Sequence, residues 1–206
     1  MKKFFTKVWK IIKYRWGEME RVIYVRKMRK ETASLKENKK TDYNRWQKRK
    51  ELLQDWDERT GILAGMIEPG SKIIEFGAGK MSLREMLPQN CTYTPSDISA
   101  RTPDFLLCDL NEKIPFDLSN FDTAVFSGVF EYVYDIEIVF EQMAKTIDNI
   151  ILSYACVDIS NADRLNSGWL SDYKKNELEH IFEKYQYKVI HYEEWRKQSL
   201  YKLKKF

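Results

Sequence analysis

Lys72-Ile73-Ile74-Glu75-Phe76-Gly77-Ala78-Gly79-Lys80 is a short apolar run that ends in an acid and then in two glycines one residue apart. It reads as a strand that delivers a tight turn. Gly77 and Gly79 lack a Cβ, so the backbone can turn sharply and let a cofactor approach where a side chain would intrude. Ser82-Leu83-Arg84-Glu85-Met86-Leu87 resumes in helical register and is stopped by Pro88. Strand, glycine turn and helix follow in the order that a nucleotide-binding motif needs. A diphosphate-binding fingerprint would carry a third glycine, but Met81 stands where GxGxG would place it and Ser82 where GxxG would. The pattern therefore favours a cofactor held by Glu75 and the turn without phosphates over a diphosphate.

Outward from this stretch the pattern repeats. Cys91 to Asp97 is a second strand, ending in an acid about 20 residues past Gly77, where a carboxylate reaches ribose hydroxyls. Asp97 is the expected ribose ligand; the alternative is a turn or cap aspartate. Phe105 to Leu110 and Phe121 to Gly128 give a third and a fourth strand, the one closing near Asp109, the other in Ser127 and Gly128. A helix is expected over Asp135 to Thr146, an almost wholly apolar strand over Asn149 to Tyr154, and a loop from Cys156 to Trp169. A helix through Leu178, Ile181 and Phe182 precedes two closing strands, Tyr187 to Tyr192 and Ser199 to Leu203. Alternating strands and helices predict an α/β fold with a doubly wound, mostly parallel sheet.

On these residues the chain resembles the class I S-adenosylmethionine-dependent methyltransferases. Glu75-Phe76-Gly77-Ala78-Gly79 looks like the family's first motif, Asp97 matches its acid after the second strand, and Cys108-Asp109-Leu110 looks like its adenine-side acid. Ser127-Gly128-Val129-Phe130-Glu131-Tyr132 is similar to its fourth motif, and the resemblance runs from about Ile62 to Phe206. It implies a Rossmann-like sheet of seven strands with S-adenosyl-L-methionine as cofactor. Gly77, Gly79 and the backbone at Lys80 would then receive the amino-acid part, Asp97 the ribose, and Asp109 with Leu110 the adenine. Within the family, the fourth motif and Asn166-Ser167-Gly168-Trp169 are most similar to bacterial enzymes of sugar and polysaccharide biosynthesis. That points to O-methylation of a saccharide or another small-molecule acceptor. The rivals are an RNA or protein N-methyltransferase and a non-catalytic, membrane-tethered scaffold that binds the cofactor.

A sugar hydroxyl needs a general base within hydrogen-bond reach. Glu131, just past the fourth strand, is the first candidate, its alternative role being an ordinary acid at a helix start. Asp158 and His191 rank below it. Tyr132, Arg164, Asn166 and Trp169 are candidates for holding the acceptor, since a Trp face suits sugar C–H surfaces and Arg suits a carboxylate or phosphate. With two histidines and three cysteines without metal spacing, no metal is expected. Cys91, Cys108 and Cys156 read as buried thiols of a cytoplasmic protein.

Charge divides the chain. Residues 1–50 hold 18 Lys or Arg against 5 Asp or Glu, and residues 51–206 hold 17 against 26, so a +13 segment precedes a −9 domain. Phe5, Trp9, Ile12, Trp16, Met19 and Ile23 recur at spacings of four and three, with lysines between them. Residues 1–40 are accordingly read as a basic amphipathic helical arm with a linker over Glu31 to Lys40, and residues 41–206 as the methyltransferase domain. The arm is too interrupted by charge to span a bilayer and has no signal-peptide pattern. Through residues 1–28 it could lie on an anionic membrane surface at the inner face, self-associate along its 3.5-residue seam, or pack back on its own domain. Nucleic acid is not an expected partner, because the basic residues interleave with an apolar stripe. A second helix is expected from Tyr43 along Trp46, Arg49, Leu53, Trp56 and Ile62-Leu63, with both tryptophans in the core rather than over the site.

Overall fold

The computed structural model describes residues 2–48 and 55–206; Arg49 and Leu53 of the expected second helix lie outside them. Seven strands form one sheet: β1 (Lys72–Phe76), β2 (Thr92–Asp97), β3 (Leu106–Leu107), β4 (Thr123–Phe126), β5 (Asn149–Tyr154), β6 (Tyr187–Trp195) and β7 (Gln198–Lys205). Their order is β3-β2-β1-β4-β5-β7-β6, parallel as far as β5, with β7 antiparallel to both β5 and β6. Chain direction reverses laterally at β1, so the crevice between β1 and β4 opens beyond their carboxyl ends, the place where open α/β sheets bind ligands.

The apolar runs of the central strands serve two faces at once, because successive side chains point to opposite sides. Ile74, Phe76, Ala124, Phe126, Ile150 and Leu152 pack on one face against α4 (Ile136–Met143) and α6 (Lys175–Lys184). Ile73, Val125 and Ile151 pack on the other, with Leu63 and Ala64 of α3 (Asp55–Ala64) and with Leu83. Phe76, Phe126 and Phe130 stack in succession under the crevice, their ring centres 5.0 Å and 4.3 Å apart. Burial of these rings gives the crevice a stiff floor.

Four expectations are corrected. The stretch expected as a helix from Ser82 is a short 3-10 segment, Ser82–Met86, entered through Met81 at φ 61°. Met81 thus takes the left-handed conformation that a third glycine would supply, at a cost of about 1 kcal/mol, with its N–H donating to the Ala78 carbonyl at 2.7 Å. Residues Glu31 to Glu37 are not a linker: α1 runs unbroken over Lys2–Glu37. Thr32 is buried, and Arg29 and Lys36 pair with Asp163 and Asp172, so tertiary contacts carry the helix through a stretch with no periodicity of its own. The third strand shrinks to Leu106–Leu107 because it is an edge with β2 as its one neighbour. The loop after β5 also contains α5 (Arg164–Ser167), one turn capped by the Asp163 carboxylate.

Candidate active site

The cleft encloses about 140 Å³ beyond the ends of β1, β2 and β4. Glu75, Gly77, Gly79, Lys80, Asp97, Asp109, Leu110, Ser127 and Tyr132 all line it. At its base β1 ends in Glu75, which is 3% exposed and accepts a hydrogen bond from the Tyr93 hydroxyl. Burial pushes the Glu75 carboxyl up to about 8, the Tyr93 donor pulls the other way, and neighbouring Asp97 adds to the rise.

The glycine turn is shaped by contact. At Gly77, φ is +68°, and a Cβ would lie 2.5 Å from Cγ2 of Val129. Asp97 fastens the turn from β2: its Oδ2 accepts the Gly79 N–H at 2.9 Å and its Oδ1 the Ser99 N–H at 3.1 Å. Lys80 reaches back to α3, its Nζ 2.8 Å from Asp57, whose other oxygen accepts from the Ser82 hydroxyl. The Lys80 hydrogen bond is the main influence holding the Asp57 carboxyl below its ordinary value.

Two further walls close the cleft. Asp109 accepts from the hydroxyl of Tyr43, the first residue of α2 (Tyr43–Lys48), at 2.8 Å, and this bond is the chief cause that raises the phenol to about 12. Asn111 donates to Thr41 and to the Tyr132 carbonyl, so residues just past α1 are tied to the ends of β3 and β4. Trp46 and Trp56, expected in the core, are half-exposed and line the cleft; Trp46 meets Tyr132 edge-on at 4.7 Å.

Arg59 is the feature that the sequence reading missed. It is 5% exposed and lines the cleft, donating to the Ser127 hydroxyl and carbonyl and, at 2.9 Å, to Gln198. Burial lowers its pKa, and the Glu131 carboxylate opposes the change. The clue was local: Asp57, Arg59 and Thr60 interrupt a helix read as core, and polar residues in a core helix face something polar.

Glu131 is corrected as a candidate base. It is 1% exposed and outside the cleft lining; its Oε1 accepts the Ala155 N–H at 2.9 Å, while its carbonyl accepts from Leu170. The 3-10 turn Phe130–Tyr132 sends Glu131 inward and Tyr132 toward the cleft. Arg164, Asn166 and Trp169 also stand outside the lining, where their neighbours Gly168 and Leu170 take part. The Arg164 guanidinium is committed to Asp172, Tyr154 and the carbonyls of Ala155 and Ser171, with Trp169 stacked 4.8 Å away. The Asn166 N–H is held by the Asp163 cap. The two lower-ranked bases are elsewhere: Asp158 accepts the Lys175 N–H, and His191 lies exposed on β6. Among the described residues no cluster of His, Cys, Asp or Glu could hold a metal ion.

Residues 45–192 match the family described as methyltransferase domain. The chain belongs to that family. As a member it is an enzyme, with S-adenosylmethionine as cofactor. Similar solved structures include an S-adenosylmethionine-dependent methyltransferase from Mesorhizobium loti, 15% identical over 70% of this chain and 96% of that one, with a TM-score of 0.56. The 1,6-didemethyltoxoflavin-N1-methyltransferase of Burkholderia thailandensis, solved with its acceptor and S-adenosylhomocysteine, is 13% identical over 91% and 89% of the two chains, with a TM-score of 0.56. The [4+2]-cyclase SpnF reaches a TM-score of 0.58 at 11% identity over 72% and 80%. At these identities the likeness is one of fold, and the fold carries more than one chemistry. No curated protein matches the sequence.

The residues present fit the cofactor. The bare backbone of Gly77, the carboxylate of Asp97 and the carboxylate of Asp109, which Tyr43 holds from behind, line one continuous cleft. The glycine turn does not offer the run of unpaired N–H groups that a diphosphate needs, since the N–H groups of Ala78, Gly79 and Met81 are taken by Ser96, Asp97 and Ala78.

Proposed function

We propose that this methyltransferase methylates an oxygen of a saccharide or other small-molecule acceptor. The observation that carries this reading is the pairing, in one cleft, of the Asp97-fastened glycine turn with a mouth walled by Trp46, Trp56 and Tyr132. Aromatic faces suit the C–H surfaces of a sugar or a flat small molecule and exclude water from the reacting atoms. The narrower resemblance of Ser127 to Val133 and of Asn166 to Trp169 to polysaccharide-biosynthesis enzymes favours the saccharide among these.

Asp97 would take the ribose and Asp109 with Leu110 the adenine, while the buried Arg59 would hold the carboxylate of the amino-acid part. Bound there, S-adenosylmethionine supplies a methyl group on a positive sulfur, which calls for alignment more than for acid activation. The acceptor hydroxyl must still lose its proton. Asp57, Asp97 and Asp109 each have both oxygens engaged by donors, and Glu75 is buried against Tyr93. Asp42 lines the cleft near Trp46 and engages one oxygen, accepting the Arg45 N–H at 3.0 Å. With Glu131 set aside, Asp42 is the proposed base.

Calorimetry tests the cofactor site. S-adenosylmethionine and S-adenosylhomocysteine should bind at micromolar concentration, NAD should not, and Asp97→Asn should weaken both sulfur nucleotides at least about tenfold. Absence of binding would overturn the reading. Transfer of a labelled methyl group to sugar nucleotides and to small phenols then separates the two acceptor classes, and labelling of RNA or protein alone would replace them with the N-methylating alternative.

A further inference from the structure

In α1 the face that holds the domain and the face that carries the aromatic stripe are opposite faces of one unbroken helix. Contacts with the rest of the chain lie on Val25, Met28, Arg29, Thr32 and Lys36, of which Thr32 is 1% exposed and the two cations pair with Asp163 and Asp172. Trp9, Trp16, Met19 and Ile23 are 68, 59, 50 and 59% exposed. At about 100° per residue the two sets are centred roughly 180° apart on the helix. The stripe therefore points away from the domain, and while α1 stays helical it cannot turn inward to cover itself.

The same outward face continues beyond Ile23 as Arg26, Lys27 and Lys30, all exposed, with Lys13 and Arg15 flanking the tryptophans. Lys27 has an exposed partner in Glu31, 3.8 Å away, a contact worth little in water. One face thus presents indoles and aliphatic chains at one end, with Glu20 beside them accepting from the Trp16 indole N–H at 2.8 Å, and cations at the other. A second copy brought onto it in parallel would set cations against cations; its acidic domain is on the far side of the helix.

We propose that α1 docks this enzyme on an anionic membrane surface. Trp9, Trp16, Met19 and Ile23 enter the headgroup layer, and Arg26, Lys27 and Lys30 rest on lipid phosphates. Clamped by α5 and followed directly by Thr41, Asp42 and Trp46 of the cleft, α1 holds the acceptor side of the site at the bilayer. Among the described residues no helix is long and apolar enough to cross a membrane, so attachment of this kind is peripheral.

The test uses the full chain and vesicle flotation. The wild type should float with phosphatidylcholine vesicles containing phosphatidylglycerol and stay behind with phosphatidylcholine alone. Trp16→Asp with Ile23→Asp should abolish flotation. Reversal of Arg26, Lys27 and Lys30 to Glu should weaken it by at least about a hundredfold, since each cation near the surface is worth about fivefold. S-adenosylhomocysteine affinity and far-ultraviolet circular dichroism should be unchanged in both variants, which separates failure of docking from failure of the cofactor site. No flotation of a helical wild type overturns the proposal. So does a dimer in sedimentation analysis that Trp16→Asp with Ile23→Asp dissolves while vesicles go unbound, which would give the face to a second copy.

Discussion

Space at Gly128 is taken by a neighbour rather than left for flexibility: an added Cβ would lie 2.4 Å from Nη2 of Arg59, on backbone with φ +67°. Gly128→Ala should therefore cost roughly 1–3 kcal/mol and weaken cofactor binding by displacing Arg59, read as a lower Tm and a higher Kd; Gly17→Ala, in open space on α1, is the control. Glu75 makes stability depend on pH. Its folded carboxyl titrates near 8 against an ordinary 4.5, so between those values the folded state binds more protons than the unfolded one. Stability from this group is full below about 4.5 and is lost as pH rises toward 8, with a slope of up to about 1.4 kcal/mol per pH unit. Glu75→Gln should flatten that part of the curve in urea titrations at successive pH values. For Asp42, replacement by Asn should lower kcat by about 10²-fold or more with S-adenosylhomocysteine affinity intact, and an unchanged rate would remove it as base. Residues on regular strand ends were legible because chain order alone places them; Glu131 was not, since its direction depends on a 3-10 turn that no periodicity announces.

At the level of elements, the turn α5 is held by Arg164 more than by its own four residues. Arg164→Ala would leave the carbonyls of Ala155 and Ser171 without this donor and unstack Trp169, a loss of about 3 kcal/mol by chemical denaturation. Asn166→Ala should stay within about 0.5 kcal/mol, because the hydrogen bond it makes here is through its backbone N–H. The reading of Arg164 as an acceptor ligand had the right chemistry for the residue type and the wrong partner. A guanidinium seeks carbonyls and carboxylates wherever the fold supplies them, and here β5 and the segment after α5 supply them first. Element type was legible for β5, whose bounds match the apolar run, and illegible for Glu31 to Glu37, where Thr32 is helical because the domain buries it.

Across the whole molecule, the charge division coincides with a division of labour. Among the described residues, the ion pairs and hydrogen bonds from α1 to the domain begin at Arg29. Deletion of residues 2–24 should leave Tm and S-adenosylhomocysteine affinity within error, whereas deletion through residue 40 should lower both by removing the buried Thr32 and the Lys36 partner of Asp172; calorimetric scans and titrations of the two truncations check this. The sequence by itself determined the sheet, the glycine turn and the places of Asp97 and Asp109 beside it, because each is written in local periodicity and in residues at strand ends. Only the tertiary structure decided that Arg59 and Asp42 face the cleft, that Glu131 and Arg164 do not, and that the aromatic stripe looks away from the domain. Those outcomes depend on which of several distant polar groups meets a given side chain first, and on the rotation of a helix about its own axis, and neither quantity is local.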